Sequence, residues 1–328
     1  MSLGEFELID AYFRQESGGA GVAMGIGDDC ALLEVPAGQQ LAVSMDTLVG
    51  DVHFPKNADP ELIAERALRV NLSDLAAMGA EPLWFTLGLT LPKADAQWVK
   101  AFSQGLFRVA REFDVALVGG DTTRGNLSMT IQVHGAVTPG MSLLRGNALV
   151  GDQVYVTGAL GDGAAALAVI KQELGVDTSA FNYLMGRYYR PQPQVKAGRA
   201  LVGVANAAID ISDGLIADLG HICEKSVVGA NIHLEKIPLS EPVAKLVSFE
   251  QGLEWALSGG DDYQLCFTVS PEKVDQLEGF IESGRLEAYA IGEITGDKGV
   301  ACWYKGERVV PSGNGFQHFN PDEQSVGA

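Results

Sequence analysis

The sequence predicts an α+β fold of two domains, an N-terminal mixed sheet with helices followed by a C-terminal α/β domain. Strand-like and helical stretches alternate along the 328 residues, and 47% of the residues are hydrophobic, enough for a sizeable core. Some neighbouring strands resemble hairpins and others are separated by a helix, which favours α+β over one doubly wound sheet. Turn residues in "RGNALVGD" predict a boundary, with domains of residues 1–146 and 147–328.

Local patterns predict the N-terminal elements. Residues 30–35 and 40–46 are rich in strand formers and flank a Pro/Gly turn, so they predict a hairpin. Asp59-Pro60 is typical of a helix start, and Gly79 is a typical stop. The other elements predicted in this half are a strand at 83–91, a helix at 96–113, a short buried strand at 115–118 that ends at the turn-like "GGDTTRGN", and a strand at 129–137.

The C-terminal half repeats the alternation of strands and helices. The glycines of "TGALGDG" predict a tight turn between its first strand and its first helix. The predicted strands are 153–157, 207–211, 264–269 and 287–294, and the predicted helices are 164–174, about 194–204 and 215–225.

Charge and cysteine usage exclude several classes of protein. The formal net charge of −19 argues against nonspecific binding to nucleic acid or to an anionic membrane, and an anionic substrate would need metal cations. The four cysteines form no CxxC pair, so neither a disulfide framework nor a zinc ribbon is indicated. Because there is also no signal-like or membrane-spanning segment, we expect a soluble cytoplasmic protein.

Acidic residues recur in turns and at predicted strand ends. Alternation along a strand puts Ser44 and Asp46 on one face, and likewise Asp210 and Ser212, so each strand offers two oxygen ligands together. Asp74 falls late in a helix, where a carboxylate opposes the helix dipole. The other acidic residues of the pattern are Asp28, Asp29, Asp121, Asp213, Asp261 and Asp262. Such a set predicts Mg²⁺ ions held around a polyphosphate.

Each acidic residue taken alone has a simpler explanation. An isolated Gly-Asp turn is commonly held by local hydrogen bonds, Asp213-Gly214 could be a helix cap, and Asp74 could be solvated. A noncatalytic protein whose acidic turns bind divalent metal is therefore an alternative. The recurrence of the pattern in five segments favours a shared site, and the absence of EF-hand spacing disfavours a Ca²⁺ sensor.

Glycines and a few cations suggest where phosphates bind. Gly119 and Gly120 follow a buried strand, where backbone N–H groups can approach a phosphate, although the signal is weak alone. Arg145 is either a solvated loop residue or a phosphate clamp, and His53 is either structural or part of the acidic site. No P-loop, Rossmann fingerprint or nucleophilic triad can be assembled, so we expect no catalytic protein nucleophile.

Together the motifs resemble the thiamine-monophosphate kinases, a family of the aminoimidazole ribonucleotide synthetase superfamily. The matching segments cover almost the whole chain in family order: "GEFELI", "IGDDCALL", "GDVHF", "NLSDLAAMGAEP", "VGGDTTRG", "TGALGDGAAAL", "YRPQPQV", "AIDISDGLIADLGHI", "SGGDDYQLCFTV" and "GFQHF". The resemblance implies ATP-dependent phosphorylation of thiamine monophosphate to thiamine diphosphate. It also implies a homodimer in which the N-terminal sheets form a barrel, with the C-terminal domain completing the active site.

The resemblance also implies roles for individual residues. The metal ligands would be Asp29, Ser44, Met45 through its backbone carbonyl, Asp46, Asp74, Asp121, Asp210 and Asp213. Gly120, Asp121, Arg145 and Ser212 fall at nucleotide-contact positions, and His53, Asp261 and Phe316 fall at substrate-contact positions.

Three positions depart from the family pattern. Asp261 stands where the family commonly has Glu, Phe316 where Tyr or Trp often stands, and Met45 where Thr is more usual. Two other ATP-using members of the superfamily fit less well. A selenophosphate synthetase usually needs a reactive Cys or selenocysteine near the N-terminus, and a hydrogenase-maturation protein needs a C-terminal Cys. This chain offers Cys30 in a predicted strand and ends in "SVGA".

Overall fold

A computed structural model describes residues 4–14 and 18–310, and it divides the chain into two compact units. The first unit comprises the described residues up to Ser142 together with Tyr189–Val202, and the second comprises Leu143–Tyr188 and the described residues from Gly203 onward. The domain boundary at 146/147 stays a prediction. Within the described ranges, no helix has the length and apolar character needed to cross a membrane.

The first unit is built on a four-stranded mixed sheet. In chain order its helices and strands are α1 (Glu5–Tyr12), β1 (Val22–Met24), β2 (Leu32–Leu33), β3 (Gln40–Val49), α2 (Pro60–Ala77), β4 (Glu81–Leu91), α3 (Ala96–Glu112), β5 (Ala116–Arg124) and β6 (Ser128–Val137). The sheet order is β3-β6-β4-β5, in which only β4 and β5 pair in parallel. The strands β1 and β2 form a separate two-stranded sheet.

The helix α2 forms where the caps predict it. Asp59 accepts a 2.8 Å hydrogen bond from the Glu61 N–H, Pro60 opens the first turn, and Gly79 has a left-handed φ of +67° just beyond the end. The helix packs against α3 and against the sheet face that carries Ile131 and Val133. The opposite face of β3 leaves large apolar side chains exposed to solvent.

The second unit is built on a seven-stranded sheet. Its elements are β7 (Gln153–Val156), α4 (Asp162–Ile170), α5 (Thr178–Tyr189), β8 (Ala207–Asp210), α7 (Leu215–Ser226), β9 (Gly229–His233), α8 (Glu241–Leu246), α9 (Phe249–Ser258), β10 (Leu265–Val269), α10 (Val274–Glu282), β11 (Tyr289–Thr295), β12 (Gly299–Tyr304) and β13 (Glu307–Val309), while α6 (Val195–Leu201) belongs to the first unit. The sheet order is β13-β12-β9-β11-β7-β10-β8, in which only β9 and β12 pair in parallel. The α+β class is confirmed.

Three local predictions were wrong. The predicted hairpin does not form, because β2 pairs with β1, whereas β3 runs beside β6; Cys30 precedes β2 and is exposed. The strand β3 continues past Asp46, and β5 continues through the turn-like glycines as far as Arg124. The predicted shared strand face of Asp210 and Ser212 is absent, because β8 ends at Asp210. Ladder pairing overrides local turn propensity in the first two cases.

Candidate active site

Side chains that carry oxygen atoms, from β3 on one side and α2 on the other, meet where the strand packs on the helix. We call this contact the β3/α2 seam. The Ser44 hydroxyl donates a 2.5 Å hydrogen bond to Asp74 Oδ2, and the Asp46 N–H donates a 3.0 Å bond to Asn71 Oδ1. The Asn71 amide in turn donates to the Ala67 carbonyl at 2.8 Å. The seam follows from two periods, since Ser44 and Asp46 are two apart on a strand and Asn71 and Asp74 are three apart on a helix.

Met45 points away from this seam. It pairs with Gln132 across the ladder, its side chain lies on the opposite sheet face, and it is 58% exposed. Only its backbone carbonyl could therefore serve a metal at the seam.

Asp121 lies on the other edge of the same sheet. It is in β5, where it pairs with Gly88, whereas Asp46 is in β3 and pairs with Ile131. Two strands lie between them, so the strand axes are about 14 Å apart at the usual spacing. Two oxygens on one Mg²⁺ lie within about 4 Å of each other, so one chain does not bring Asp46 and Asp121 to a single ion.

Position 120, beside Asp121, requires glycine because the backbone of β4 lies close to it. A Cβ at this position would lie 2.0 Å from the Leu87 carbonyl oxygen, so no larger residue fits without moving a strand. The glycine predicted to admit a phosphate is therefore also required by the ladder.

Asp29 lies in an exposed turn at the start of the chain. Its N–H donates a 2.9 Å hydrogen bond to the Asp28 carboxylate, and the preceding Gly27 has a φ of +139°. Asp28 thus supports the turn that presents Asp29, which is the local arrangement expected for adjacent acidic residues.

His53 is held in one tautomer by the turn after β3. The Val49 backbone N–H donates to His53 Nδ1 at 3.0 Å, and the backbone N–H of His53 donates to the Val49 carbonyl at 2.9 Å. A ring nitrogen that accepts a hydrogen bond carries no proton, so the proton of the neutral ring lies on Nε2.

In the second unit, the turn after β8 is organised by a buried carboxylate that sequence reasoning missed. Asp218, in the first turn of α7, accepts hydrogen bonds from the Ser212 N–H at 3.1 Å and the Asp213 N–H at 3.0 Å. Burial raises the pKa of Asp218 to about 7, and the negative charge of Asp213 adds to this effect. The sequence contains one signal for this role, because an acidic residue stands five positions after Asp213, in the first turn of the helix that follows.

Arg145 belongs to the same neighbourhood. Its carbonyl accepts a 2.9 Å hydrogen bond from the Ser226 hydroxyl, and its positive charge opposes the rise in the pKa of Asp218. Asp210, Ser212, Asp213 and Arg145 thus gather around the end of β8.

The loop that carries Asp261 lies against the Ser212 turn. The Asp261 N–H donates to the Ser212 carbonyl at 2.9 Å, and the Tyr263 hydroxyl donates to Asp261 Oδ1 at 3.0 Å. Asp262, which the sequence placed in the acidic set without a role of its own, is buried and accepts hydrogen bonds from the Gly161 and Gly163 N–H groups. Burial raises the pKa of Asp262 to about 7, against the lowering effect of these two bonds.

Phe316 lies outside the described residues. In the paired strands β12 and β9, the Trp303 indole N–H donates a 3.0 Å hydrogen bond to the Asn231 side chain.

The predicted residues thus form two groups within their own units, with Asp29 and Asp121 apart from the seam. Across residues 4–14 and 18–310, no three His, Cys, Asp or Glu side chains form a group that could hold a metal ion. The predicted metal ligands are nevertheless all carboxylate, hydroxyl or carbonyl oxygens, and the 2.5 Å hydrogen bond from Ser44 to Asp74 brings two of them together. Oxygen donors of this kind fit Mg²⁺ and disfavour zinc.

Two family models match the chain. The N-terminal domain of AIR synthase related proteins matches residues 27–137, and their C-terminal domain matches residues 150–305.

Curated relatives are similar over nearly their full length. Thiamine-monophosphate kinase of Escherichia coli (strain K12) is 48% identical over 322 residues, which cover 97% of this chain and 99% of the relative. The enzyme of the same name from Haemophilus influenzae is 44% identical, with 97% and 99% covered.

Solved structures are similar as well. Thiamine-monophosphate kinase from Stenotrophomonas maltophilia K279a superposes with a TM-score of 0.85 at 43% identity, covering 94% of this chain and 99% of that one. A structure described as AaThiL complexed with AMPPCP and TMP gives a TM-score of 0.76 at 31% identity, with 97% of each chain covered.

Proposed function

The chain belongs to the thiamine-monophosphate kinase family, it is an ATP-dependent kinase that converts thiamine monophosphate to thiamine diphosphate, and we propose that it transfers the phosphoryl group directly and in line at a Mg²⁺–carboxylate site. The β3/α2 seam is the observation that carries this mechanism. Its contact between Ser44 and Asp74 joins two hard oxygen donors from elements far apart in sequence. The relative solved with AMPPCP, an ATP analogue, and TMP supports the pair of substrates.

The substrate supplies its own nucleophile. The second pKa of a phosphate monoester is about 6, so an oxygen of thiamine monophosphate is already ionised near neutral pH. A general base is unnecessary, and the task of the site is to hold two anions in line. Bound Mg²⁺ would neutralise charge on the ATP phosphates, held by Asp46, Asp74 and Ser44 at the seam and by other carboxylates along the polyphosphate.

We assign the remaining residues by their surroundings. Gly120, exposed beside Asp121 in β5, would present its backbone to a nucleotide phosphate, and Arg145 adds a positive charge near the Asp218 carboxylate that holds the Ser212–Asp213 turn. His53, protonated on Nε2, would donate to a substrate oxygen. Asp261 would meet the cationic thiamine moiety, because a carboxylate repels the phosphate end of the substrate.

We propose that the protein acts as a homodimer. The outer face of β3 exposes Leu41, Val43 and Met45 in alternate positions, a row that a second sheet would cover. Because β3 and β5 are the two edges of the sheet, two copies can close into an eight-stranded barrel by pairing β3 of one with β5 of the other. This pairing would place the β5 that carries Asp121 of one copy beside the β3 that carries Asp46 of the other, whereas the axes of these two strands within one chain are about 14 Å apart.

The four cysteines are free thiols, which supports a cytoplasmic location.

The stereochemistry of the transferred phosphorus tests the mechanism. ATP made chiral at its γ-phosphorus with sulfur and oxygen isotopes should give thiamine diphosphate with inverted configuration, because one in-line displacement inverts the centre. Retention would indicate two displacements through a phosphorylated protein residue and would contradict direct transfer.

A further inference from the structure

The loop Gly259–Tyr263 adopts a backbone that its residues do not favour. Asp261 has a φ of +71° and Tyr263 a φ of +51°, both in the left-handed region that non-glycine residues rarely occupy. Such conformations persist only where the surroundings enforce them, and they concentrate at functional sites. A specific contact must therefore hold this loop.

Asp262, between these two residues, provides that contact. Its side chain is buried, and its two carboxylate oxygens accept from the Gly161 N–H at 2.7 Å and the Gly163 N–H at 3.1 Å. These donors lie at the N-terminus of α4, a nine-residue helix whose dipole favours a negative charge there. One carboxylate thus joins the loop to a helix that is about one hundred residues away in sequence.

The fit between the loop and α4 is close as well as hydrogen-bonded. A Cβ on Gly163 would lie 2.5 Å from the Gly260 carbonyl oxygen and 2.7 Å from the Asp261 carbonyl oxygen. On its other side the loop donates from the Asp261 N–H to the Ser212 carbonyl, and a Cβ on Gly260 would lie 2.4 Å from that same oxygen. The loop therefore has little room to shift unless one of these contacts is released.

Asp162, the other carboxylate at the N-terminus of α4, accepts its hydrogen bonds from other side chains. Asp162 accepts from Ser240 at 2.5 Å, Tyr183 at 2.7 Å and Arg187 at 3.0 Å, so Asp262 is left to hold the loop.

We propose that Asp262 is a positioning residue for thiamine monophosphate: by tying the loop to the N-terminus of α4, it fixes the direction in which Asp261 meets the substrate. This inference rests on the proposed role of Asp261. Asp262 itself is buried with both oxygens on backbone N–H groups, so it would act through its neighbour Asp261. Because Asp261 is one methylene shorter than the Glu common in the family, the position of its backbone determines its reach.

Steady-state kinetics of D262N test the proposal. An amide in place of the carboxylate turns an N–H donor towards one of the two glycine N–H groups, so that bond is lost. The KM for thiamine monophosphate should rise on the order of tenfold or more while the KM for ATP changes less than about twofold, as expected when one binding group is misplaced. Equal rises in both KM values, or no rise, would overturn the proposal.

Two further variants separate positioning from folding. G163A leaves the carboxylate in place but pushes on the loop, and it should show the same selective rise in KM. D152N is the matched control: Asp152 is also a buried carboxylate of this unit, but it accepts from the Leu149 N–H, Asn206 and Thr268. Its KM values should stay at those of the wild type.

Hydrogen exchange supplies a readout independent of turnover. The Asp261 amide should exchange faster in D262N than in the wild type, because its hydrogen bond to the Ser212 carbonyl depends on the position of the loop. In D152N its exchange rate should equal that of the wild type. Unchanged exchange in D262N would overturn the positioning role even if activity fell. A wild-type protein that forms no thiamine diphosphate would instead refute the proposed function, with the exchange result still deciding whether Asp262 holds the loop.

Discussion

The Ser44 hydroxyl donates a 2.5 Å hydrogen bond to the Asp74 carboxylate, and the bond joins the middle of β3 to the end of α2. The carboxylate lies late in a helix, where the dipole disfavours negative charge, so a donor at this point stabilises it. The same bond fixes the separation of two oxygens that we assign to Mg²⁺.

Removing the Ser44 hydroxyl should therefore impair turnover more than stability. In S44A, Asp74 loses a donor and the seam loses one oxygen, so we expect kcat/KM to fall by about 10- to 100-fold, the range for a lost transition-state contact. Kinetics at several Mg²⁺ concentrations measure this, and the Mg²⁺ needed for half-maximal rate should rise. T47V is the control, because Thr47 bonds Thr130 at 2.8 Å on the other face of the same strand. Equal losses in S44A and T47V would contradict a role specific to the seam.

Mixing two inactive variants tests whether the site is shared between copies. We expect D46N and D121N each to lose most activity with the fold intact, since each removes a charged oxygen ligand. If β3 of one copy meets β5 of the other, a mixed dimer contains one site with both aspartates. Random reassortment should then restore about a quarter of the wild-type rate, because half of the dimers are mixed and half of their sites are intact.

The experiment requires dissociating and reassociating the mixed copies and then measuring turnover. If Asp46 and Asp121 of one chain served the same site, every site in the mixture would lack one of them, and activity would stay at the level of the single variants. Reassociated D46N alone is the control for recovery caused by handling.

The buried Glu65 predicts a particular dependence of stability on pH. Glu65 is 1% exposed; burial raises its pKa, but hydrogen bonds and charges from Arg190 and Arg108 outweigh burial and hold the pKa below its usual value. Its ionised form thus stabilises the fold above pH 4.5, and this contribution is lost as the pH falls through the lowered pKa. Because both arginines are half exposed, E65Q should lose about 2 kcal/mol of unfolding free energy at pH 7, less than for a fully buried pair.

Denaturant unfolding from pH 7 down to pH 3 measures this difference, which should shrink below pH 4.5. E81Q is the control, because the Glu81–Arg199 pair is exposed and should contribute less than about 1 kcal/mol. A difference between E65Q and the wild type that is constant with pH would contradict the assignment.

Gly198 in α6 makes a contact that no other residue can make. A Cβ there would lie 2.0 Å from the Ala76 carbonyl oxygen of α2, so G198A must move one helix. We expect a loss of about 2 kcal/mol or more in unfolding free energy, as for other overpacked sites. G186A is the contrast, because nothing lies within 4 Å of its added Cβ in α5, and it should stabilise by about 0.5 to 1 kcal/mol. Calorimetric unfolding of both variants checks the signs.

Local patterns predicted α2, α3, α4, α6 and α7, missed the other five helices of the described residues, and predicted the strand partners poorly. The helix α2 begins and ends at its capping residues, because cap chemistry is contained in a few neighbouring residues. The partner of β2 is β1 and not β3, and such pairing depends on contacts between distant segments. For the same reason the turn-like "GGDTT" became part of β5 once β4 was available to pair with it.

The site was predictable in its chemistry but not in its geometry. The period of β3 predicted that Ser44 and Asp46 share a face, and the folded chain brings Asp74 of α2 to that face. The distance between Asp46 and Asp121 follows from strand order, which no local pattern contains. The individual roles of Asp218 and Asp262 depend on burial and on backbone donors that only the folded chain brings near, so no local pattern predicts them.

Formation of thiamine diphosphate from ATP and thiamine monophosphate, followed by chromatography in the presence of Mg²⁺, is the decisive measurement. Unphosphorylated thiamine serves as the control acceptor and D46N as the control protein. We predict one thiamine diphosphate for each ADP formed, from the monophosphate alone, with little product from D46N. No product from folded wild-type protein supplied with metal, or equal phosphorylation of thiamine, would contradict the assignment of this chain as a thiamine-monophosphate kinase.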